Sequence, residues 1–459
     1  MVKIIQTVYE RSHDAARAVL ERGTRAWGFE VRLDALERAP EFGVLRAATA
    51  KPLVATRRGS PFDPAEARRA LDAGFDLVDA ELRDDLDLGG LASKTILSHH
   101  DFETVPDIPA LIETMKPFGA AEIKIAVTPK RFDDDRRLLE VLAARSETNL
   151  TLFGMAFRGL YSRILAPFYG SSLAFVSSGT AAAPGQFPID KGLAIWGDAP
   201  ARPEAVFAVV GNPAGHSRSP QLHNPVFRDR GLPAAYSAIE IDRFEEVGEG
   251  LAAGAPFYPR GVSITAPFKE DAFQFARERD ARITERAEVC EAINTLVRLP
   301  DGRLMADNTD IDGIAAAVVA TGVKPRTAAI LGGGGTARSA AVALRQTGAA
   351  VKIFARTPSR IADFAKAMRA EVAAFSEAAT FDGDLLVLAV GRDAEVPLPD
   401  AMLRRGKAIV DVAYDAARGG QLALAREWGV AVADGMVVLE SQAVAQQHLF
   451  AIAMGREFA

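Results

Sequence analysis

The chain has 459 residues, 49% hydrophobic and 25% charged, with a net charge of -6. This length favours two or three domains over a single core, and the composition excludes long disorder as the main theme. Lysine and arginine are scattered instead of blocked, which excludes a nucleic-acid-binding face and leaves small molecules as the expected partners. A single cysteine, Cys290, excludes an internal disulfide framework and a Cys-rich zinc site. The opening MVKIIQTVYERSHD turns charged too early for a signal peptide, and no apolar run approaches the ~18 residues of a membrane span. The reading is a cytoplasmic enzyme with no metal, nucleic acid or membrane among its partners; the oligomeric state is left open.

From the N-terminus, eight apolar runs alternate with Arg/Ala-rich helical stretches over about 198 residues: VKIIQTV, FEVRLDAL, PLVATRR, LVDAEL, TILSHHDF, IKIAVTP, LTLFGMA and LAFVSS. This spacing predicts an α/β fold, a (β/α)8 barrel with trimmed helices because the segment is short. Glu30, Arg32, Arg58, Glu81, His100 and Lys124 sit at or near the ends of the runs, where such barrels place their chemistry. Gly197–Ala205 reads as a linker. A second domain is predicted from Val206 to about 315, rejoined by the last helix (436–459), with a nucleotide-binding domain over 316–435. The latter opens with TAAILGGGGTARSAAVALRQTG, a strand, a glycine turn and a small-residue helix, the start of a Rossmann βαβ unit.

In that turn Gly332, Gly333, Gly334 and Gly335, followed by Thr336 and Ala337, let backbone N–H groups approach a pyrophosphate at a helix N-terminus. The next strand ends in Ala355-Arg356-Thr357, where an NAD enzyme usually carries an acid for the ribose hydroxyl; Arg356 suits the 2′-phosphate of NADP. The middle region strings together Ser217, Ser219, Thr265, Lys269, Asn294 and Asp310, hydroxyls and amides for a polyhydroxylated substrate plus a Lys/Asp pair for moving a proton onto a carbonyl oxygen. Whether Lys269 stays an ammonium held by a carboxylate or is desolvated into a proton shuttle is open. In the barrel, Lys124 lies inside an apolar run, where desolvation of an amine favours its nucleophilic form, and His100 suits acid–base work near pH 7.

GNPAGHSRSPQLHN, TAPFK, INT, NTD, the glycine turn, VDVAY and the C-terminal GMVVLESQ resemble the shikimate dehydrogenase family from about Val206 onward. The resemblance implies that Ser217 and Ser219 hold the substrate carboxylate and that Lys269 and Asp310 form the catalytic pair. It also implies that Thr265, Asn294, Tyr414 and Gln442 line the ring pocket and that Arg356 and Thr357 grip NADP, with Ala355 where the family shows Asn. The first half resembles the type I 3-dehydroquinate dehydratases, through ExRxD at Glu30–Asp34, T-x-R at Thr56–Arg58, VDAEL, S-x-H-D-F at Ser98–Phe102, KIAV at Lys124, Ser162-Arg163 and APGQ ending at Gln186. There the resemblance implies an imine on Lys124, His100 as acid and base, and Glu30, Arg32, Arg58, Arg163 and Gln186 as substrate ligands, Arg57 being the competitor for the place of Arg58. Ala182 replaces a family serine, and GSPFDP after Arg58 replaces an acidic loop, so the carboxylate that would orient His100 is expected to be missing. The expectation is a bifunctional shikimate-pathway enzyme, lyase and NADP-dependent oxidoreductase; the alternative is a shikimate or quinate dehydrogenase carrying a weak or inactive barrel.

Overall fold

Strands buried on both faces read as unbroken apolar runs, and all eight runs of the first half are strands: β1 (Lys3–Val8), β2 (Gly28–Arg32), β3 (Leu53–Thr56), β4 (Leu77–Glu81), β5 (Thr95–Asp101), β6 (Glu122–Val127), β7 (Leu150–Gly154) and β8 (Leu173–Ser177). The computed structural model describes residues 2–145, 149–179, 182–183, 185–197, 201–396 and 398–457. The eight strands form a parallel sheet in the order β7-β6-β5-β4-β3-β2-β1-β8. Its two ends meet where the Ser172 N–H donates to Leu150 O at 3.0 Å and the Leu173 N–H to Thr151 Oγ1 at 3.1 Å.

The helices outside this barrel are short: α1 (His13–Glu21), α2 (Phe42–Ala47), α3 (Pro64–Asp72), α4 (Ile108–Met115), α5 (Phe132–Ala144), α6 (Leu160–Leu165) and α7 (Ile189–Trp196). Ser12, Asp63 and Asp107 cap α1, α3 and α4, with Pro at the start of the last two. Between β4 and β5 a single 3-10 turn, Ala92–Lys94, stands where a helix is expected. The middle of the predicted linker, residues 198–200, lies outside the described residues.

Two compact units are present, Met1–Asp242 with Pro256–Pro259, and Arg243–Ala255 with Arg260–Ala459. The first therefore extends past the barrel into β9 (Ala205–Gly211), α8 (Ser219–Asp229) and β10 (Ala234–Glu240), with β9 and β10 parallel. Within this unit Ser237 Oγ donates to Tyr161 O at 3.3 Å, Tyr161 Oη to Phe257 O at 2.9 Å, and the Arg228 guanidinium to the carbonyls of Ile195 and Ala194 at 2.6 and 2.7 Å.

The second unit runs through α9 (Glu245–Ala253), β11 (Gly261–Ile264), α10 (Lys269–Glu278), β12 (Arg282–Ile283), α11 (Glu285–Cys290), β13 (Thr295–Arg298), β14 (Leu304–Asp307) and α12 (Asp310–Ala320). It continues with β15 (Thr327–Leu331), α13 (Gly335–Arg345), β16 (Ala350–Ala355), α14 (Ala362–Ala367), β17 (Glu371–Ala374), β18 (Leu385–Leu388), β19 (Ala408–Asp411), α15 (Gly419–Glu427), β20 (Ala431–Ala433) and α16 (Gly435–Ala453). The last six strands are parallel in the order β17-β16-β15-β18-β19-β20, the doubly wound Rossmann arrangement with its switch point between β15 and β18. Alternate residues of β15 feed two cores, Ala328 and Ile330 on one face, Ala329 and Leu331 on the other, so the sheet is covered on both sides. Helix α16 returns against α12 at Gly313, where a Cβ would lie 2.5 Å from Val438 O. Its Gln446 is bonded to Ser263 Oγ at 3.0 Å and to Thr295 Oγ1 at 3.2 Å. Among the described residues no helix is long and apolar enough to cross a membrane.

Candidate active sites

Lys124 on β6 is buried, but its ammonium is not in apolar surroundings as the run EIKIAV suggested. Nζ lies 3.7 Å from Glu30 Oε1, 3.6 Å from Asp79 Oδ2 and 3.9 Å from the centre of the Phe175 ring. The two carboxylates are fixed in turn. Glu30 accepts from Thr7 Oγ1 at 2.8 Å and Thr56 Oγ1 at 3.1 Å; Asp79 accepts from Ser98 Oγ at 2.7 Å and pairs with Arg58 Nη1 at 2.7 Å. Burial pushes both carboxyls up, yet Lys124 brings Glu30 below its ordinary value, and Arg58 with Lys124 holds Asp79 down at about 2. The floor of the barrel mouth is thus a network of alternating charge.

His100 does have a carboxylate partner, which overturns the expectation drawn from GSPFDP. Glu81, at the end of the neighbouring β4, lies with Oε2 2.8 Å from His100 Nδ1 and accepts the His100 N–H on Oε1 at 2.7 Å. Burial pulls the His100 pKa down, Glu81 pulls it back up, and the cations of Arg58 and Lys124 push it down, leaving it below its ordinary value. An imidazole neutral at pH 7, with Nδ1 held by an acceptor, presents Nε2 as a base. Asp79 and Glu81 are the functional residues the site assignment lacked, although VDAEL had singled out their stretch.

Strand alternation settles Arg57 against Arg58. Arg58 donates to Glu81 Oε2 at 2.9 Å inside the site, whereas Arg57 forks onto Glu66 of α3 at 2.7 and 2.9 Å. Arg32 is paired with Asp34 at 2.8 Å. Arg163 is buried on α6, its guanidinium 4.5 Å from the Phe153 ring and its Nε bonded to Gly154 O at 3.2 Å; burial lowers its pKa to about 10. Gln186 joins the cluster by donating to Thr7 Oγ1 at 3.0 Å.

In the second unit three helix starts converge. Lys269 opens α10, Asp310 opens α12 and Thr336 lies in the first turn of α13. Lys269 Nζ is bonded to Asp310 Oδ2 and, at 2.9 Å, to Thr336 Oγ1. Asn294 Nδ2 donates to Asp310 Oδ1 at 2.8 Å and to Gln442 Oε1 at 2.9 Å. Helix N-termini favour the carboxylate there, and Lys269 is only 9% exposed. Thr265 and Tyr414 are half-buried at the ends of β11 and β19, with no direct bond to this pair among the described hydrogen bonds.

The glycine turn fits a dinucleotide. Gly332 has φ +136 and a Cβ would lie 2.3 Å from Ala389 O, just past β18, while at Gly335 it would lie 2.8 Å from Lys269 Cβ. Only hydrogen leaves the backbone free for a pyrophosphate at this switch point, and Gly334 caps α13 without a side chain. Arg356 and Thr357 are exposed just beyond β16, and the Arg356 guanidinium makes no described ion pair, which leaves it available to a phosphate.

Ser217 and Ser219 belong to the first unit. The turn before them is fixed by Ala214 N–H on Glu240 Oε2 at 3.2 Å, and the Ser219 N–H donates to Ser217 Oγ at 3.2 Å. A barrel residue supports this turn: the Phe157 ring centre lies 5.6 Å from that of His216, and a Cβ on Gly215 would sit 2.2 Å from Phe157 Cδ1.

Three family profiles match in chain order: type I 3-dehydroquinase over residues 4–194, shikimate dehydrogenase substrate binding domain over 209–296, and NADP oxidoreductase, coenzyme F420-dependent, over 327–415. The pentafunctional AROM polypeptide of Lachancea thermotolerans is 30% identical over 367 residues, 74% of this chain and 22% of that one. The chloroplastic bifunctional 3-dehydroquinate dehydratase/shikimate dehydrogenase of Arabidopsis thaliana is 27% identical over 422 residues, 83% of this chain and 68% of that one. The crystal structure of Thermus thermophilus shikimate 5-dehydrogenase with NADP(H) and shikimate is 29% identical and covers 56% of this chain and 95% of its own, with a TM-score of 0.46. The chain thus spans about a fifth of the AROM polypeptide it matches. It carries a type I 3-dehydroquinase domain followed by a shikimate dehydrogenase domain.

Proposed function

We propose that the chain performs two consecutive reactions: dehydration of 3-dehydroquinate to 3-dehydroshikimate in the barrel, then NADPH-dependent reduction of 3-dehydroshikimate to shikimate by the rest. The dividing lines are those of the sequence, a barrel over 1–198, a substrate domain over 206–315 with the C-terminal helix, and a nucleotide domain over 316–435. The observation that carries the reading is Lys124 held between two carboxylates beside a carboxylate-paired imidazole. A barrel that had lost its chemistry would have no need for this buried charge, whose desolvation costs several kcal/mol per ion before pairing offsets it.

In the first reaction the Lys124 amine adds to the substrate ketone and expels water, and the imine acidifies the adjacent C–H. His100 takes that proton on Nε2 and returns it to the departing hydroxyl, which leaves as water. Hydrolysis of the imine then frees Lys124. Glu30, Arg32, Arg58, Arg163 and Gln186 orient the ring and its carboxylate. In the second reaction NADPH, when bound, supplies a hydride to the carbonyl carbon. Lys269 delivers a proton to the carbonyl oxygen, and Asp310, held by Asn294, positions it. Ser217 and Ser219 bind the carboxylate, and Thr265, Asn294, Tyr414 and Gln442 the ring.

A coupled assay tests the whole. Dehydroquinate plus NADPH is expected to consume NADPH, dehydroshikimate alone likewise, and NADH at the same concentration far more slowly because Arg356 meets no 2′-phosphate. Turnover of dehydroshikimate only would retire the dehydratase half.

The role of Glu81 has its own signature. Dehydratase turnover needs neutral His100, so it is present above the His100 pKa and lost as pH falls through it. Glu81 is the group that raises that pKa against burial and two cations. Glu81→Gln is expected to reduce kcat on the order of 10²-fold, as an orienting carboxylate does, and to move the acid limb of the kcat profile to lower pH. An acid limb that stays in place would assign Glu81 to structure alone.

A further inference from the structure

The barrel mouth contains a polar group that no protein atom satisfies. Ser177, the last residue of β8, is 1% exposed, and its hydroxyl has no hydrogen-bond partner among the described residues. Its direction follows from the alternation of the strand. Phe175 faces inward, under Lys124, whereas Val176 faces the outer layer, where its Cγ1 would lie 3.0 Å from a Cβ on Gly192 of α7. Ser177 therefore faces inward again, about 7 Å closer to the mouth than Phe175. Register agrees, because Ser177 is paired across the β1–β8 ladder with Thr7, whose hydroxyl is bonded to Glu30 and Gln186 at 2.8 and 3.0 Å.

We propose that Ser177 is a substrate-binding residue of the dehydratase site, its hydroxyl directed to an oxygen substituent of the ring held at Lys124. This rests on the dehydratase reading above. A buried hydroxyl without a partner destabilises the empty protein, and a folded barrel retains one most simply where a ligand supplies the partner. The position also complements Ala182, which offers no hydroxyl in the loop that carries Gln186. The assignment has a signature that a packing role does not share, since the same change is to stabilise the ligand-free chain and weaken its substrate.

The test compares Ser177→Ala and Ser177→Thr with the wild-type chain. Ser177→Ala is expected to raise KM for dehydroquinate about 3- to 10-fold, the scale of one lost hydrogen bond, with kcat changed less than about 2-fold. Its ligand-free Tm is expected to equal or exceed that of wild type. Ser177→Thr, which keeps the hydroxyl on a residue suited to a strand, is expected to keep KM near wild type. A KM within 2-fold of wild type for Ser177→Ala, a fall in its Tm, or equal impairment of the two variants would overturn the assignment while leaving the dehydratase reading intact. A wild-type chain without dehydroquinate turnover would overturn the reading, and the assignment with it.

Discussion

Lys124→Ala is expected to abolish dehydration, lowering kcat about 10⁴-fold or more, the scale of removing a covalent nucleophile. Borohydride added with dehydroquinate should leave a mass adduct on the wild-type chain and none on the variant. The charge network shapes how this result must be read. Removing the ammonium leaves Glu30 and Asp79, both buried, short of a cation, and breaking a buried pair costs on the order of 3–5 kcal/mol. Asp79 keeps Arg58 at 2.7 Å and Glu30 keeps two threonine hydroxyls, so much of the network survives. Lys124→Arg separates the two effects, because it keeps the positive charge and cannot form an imine. Loss of turnover in both variants, with dehydroshikimate reduction retained, assigns the loss to chemistry. A dehydratase that survives Lys124→Arg would exclude the imine.

In the other half Lys269→Ala is expected to lower kcat for dehydroshikimate reduction about 10²- to 10⁴-fold, the range for a positioned acid–base group, with a much smaller change in KM. Lys269 is joined to Asp310 and Thr336, at the starts of two different helices. Asp310→Asn leaves the Lys269 chain in place but removes its carboxylate, and a comparable kcat loss there would mark the two as one functional unit. Unchanged kcat in Lys269→Ala would dismiss the assignment outright.

The strands of the barrel were legible because parallel strands covered on both faces must be apolar throughout, so each is a run in the sequence. The Rossmann half was legible for a different reason: the glycines of its first turn answer to close backbone approaches, 2.3 Å at Gly332 and 2.8 Å at Gly335 for an added Cβ. The 3-10 turn at Ala92–Lys94 carries no such mark, because nothing in a short polar connection states that a helix has been omitted. The partner of His100 was sought in the loop after Arg58, along the chain, but it lies across the sheet. Glu81 is opposite Ser98 in the β4–β5 ladder, two residues before His100, and register of that kind is invisible to periodicity. Arg58 was within reach of sequence reasoning: Thr56 faces Glu30, so by alternation Arg58 faces inward and Arg57 does not. Lys124 misled for a related reason, since its own run is apolar and the carboxylates beside it belong to other strands.

The contact of Phe157 with Gly215 and His216 bears on how such a chain can change over generations. Two enzymes merely strung on one polypeptide drift independently, and either can be exchanged for a foreign version. Here the ring of a barrel residue occupies the space that a side chain at 215 would need, and Arg158 next to it reaches Asp242 at 2.6 Å. A larger residue at 215 demands that the ring swing away, and a foreign barrel with another residue at 157 withdraws support two residues before Ser217. Chimeras that exchange the barrel alone should therefore lose affinity for dehydroshikimate, and regain it when residues 213–216 are exchanged along with the barrel.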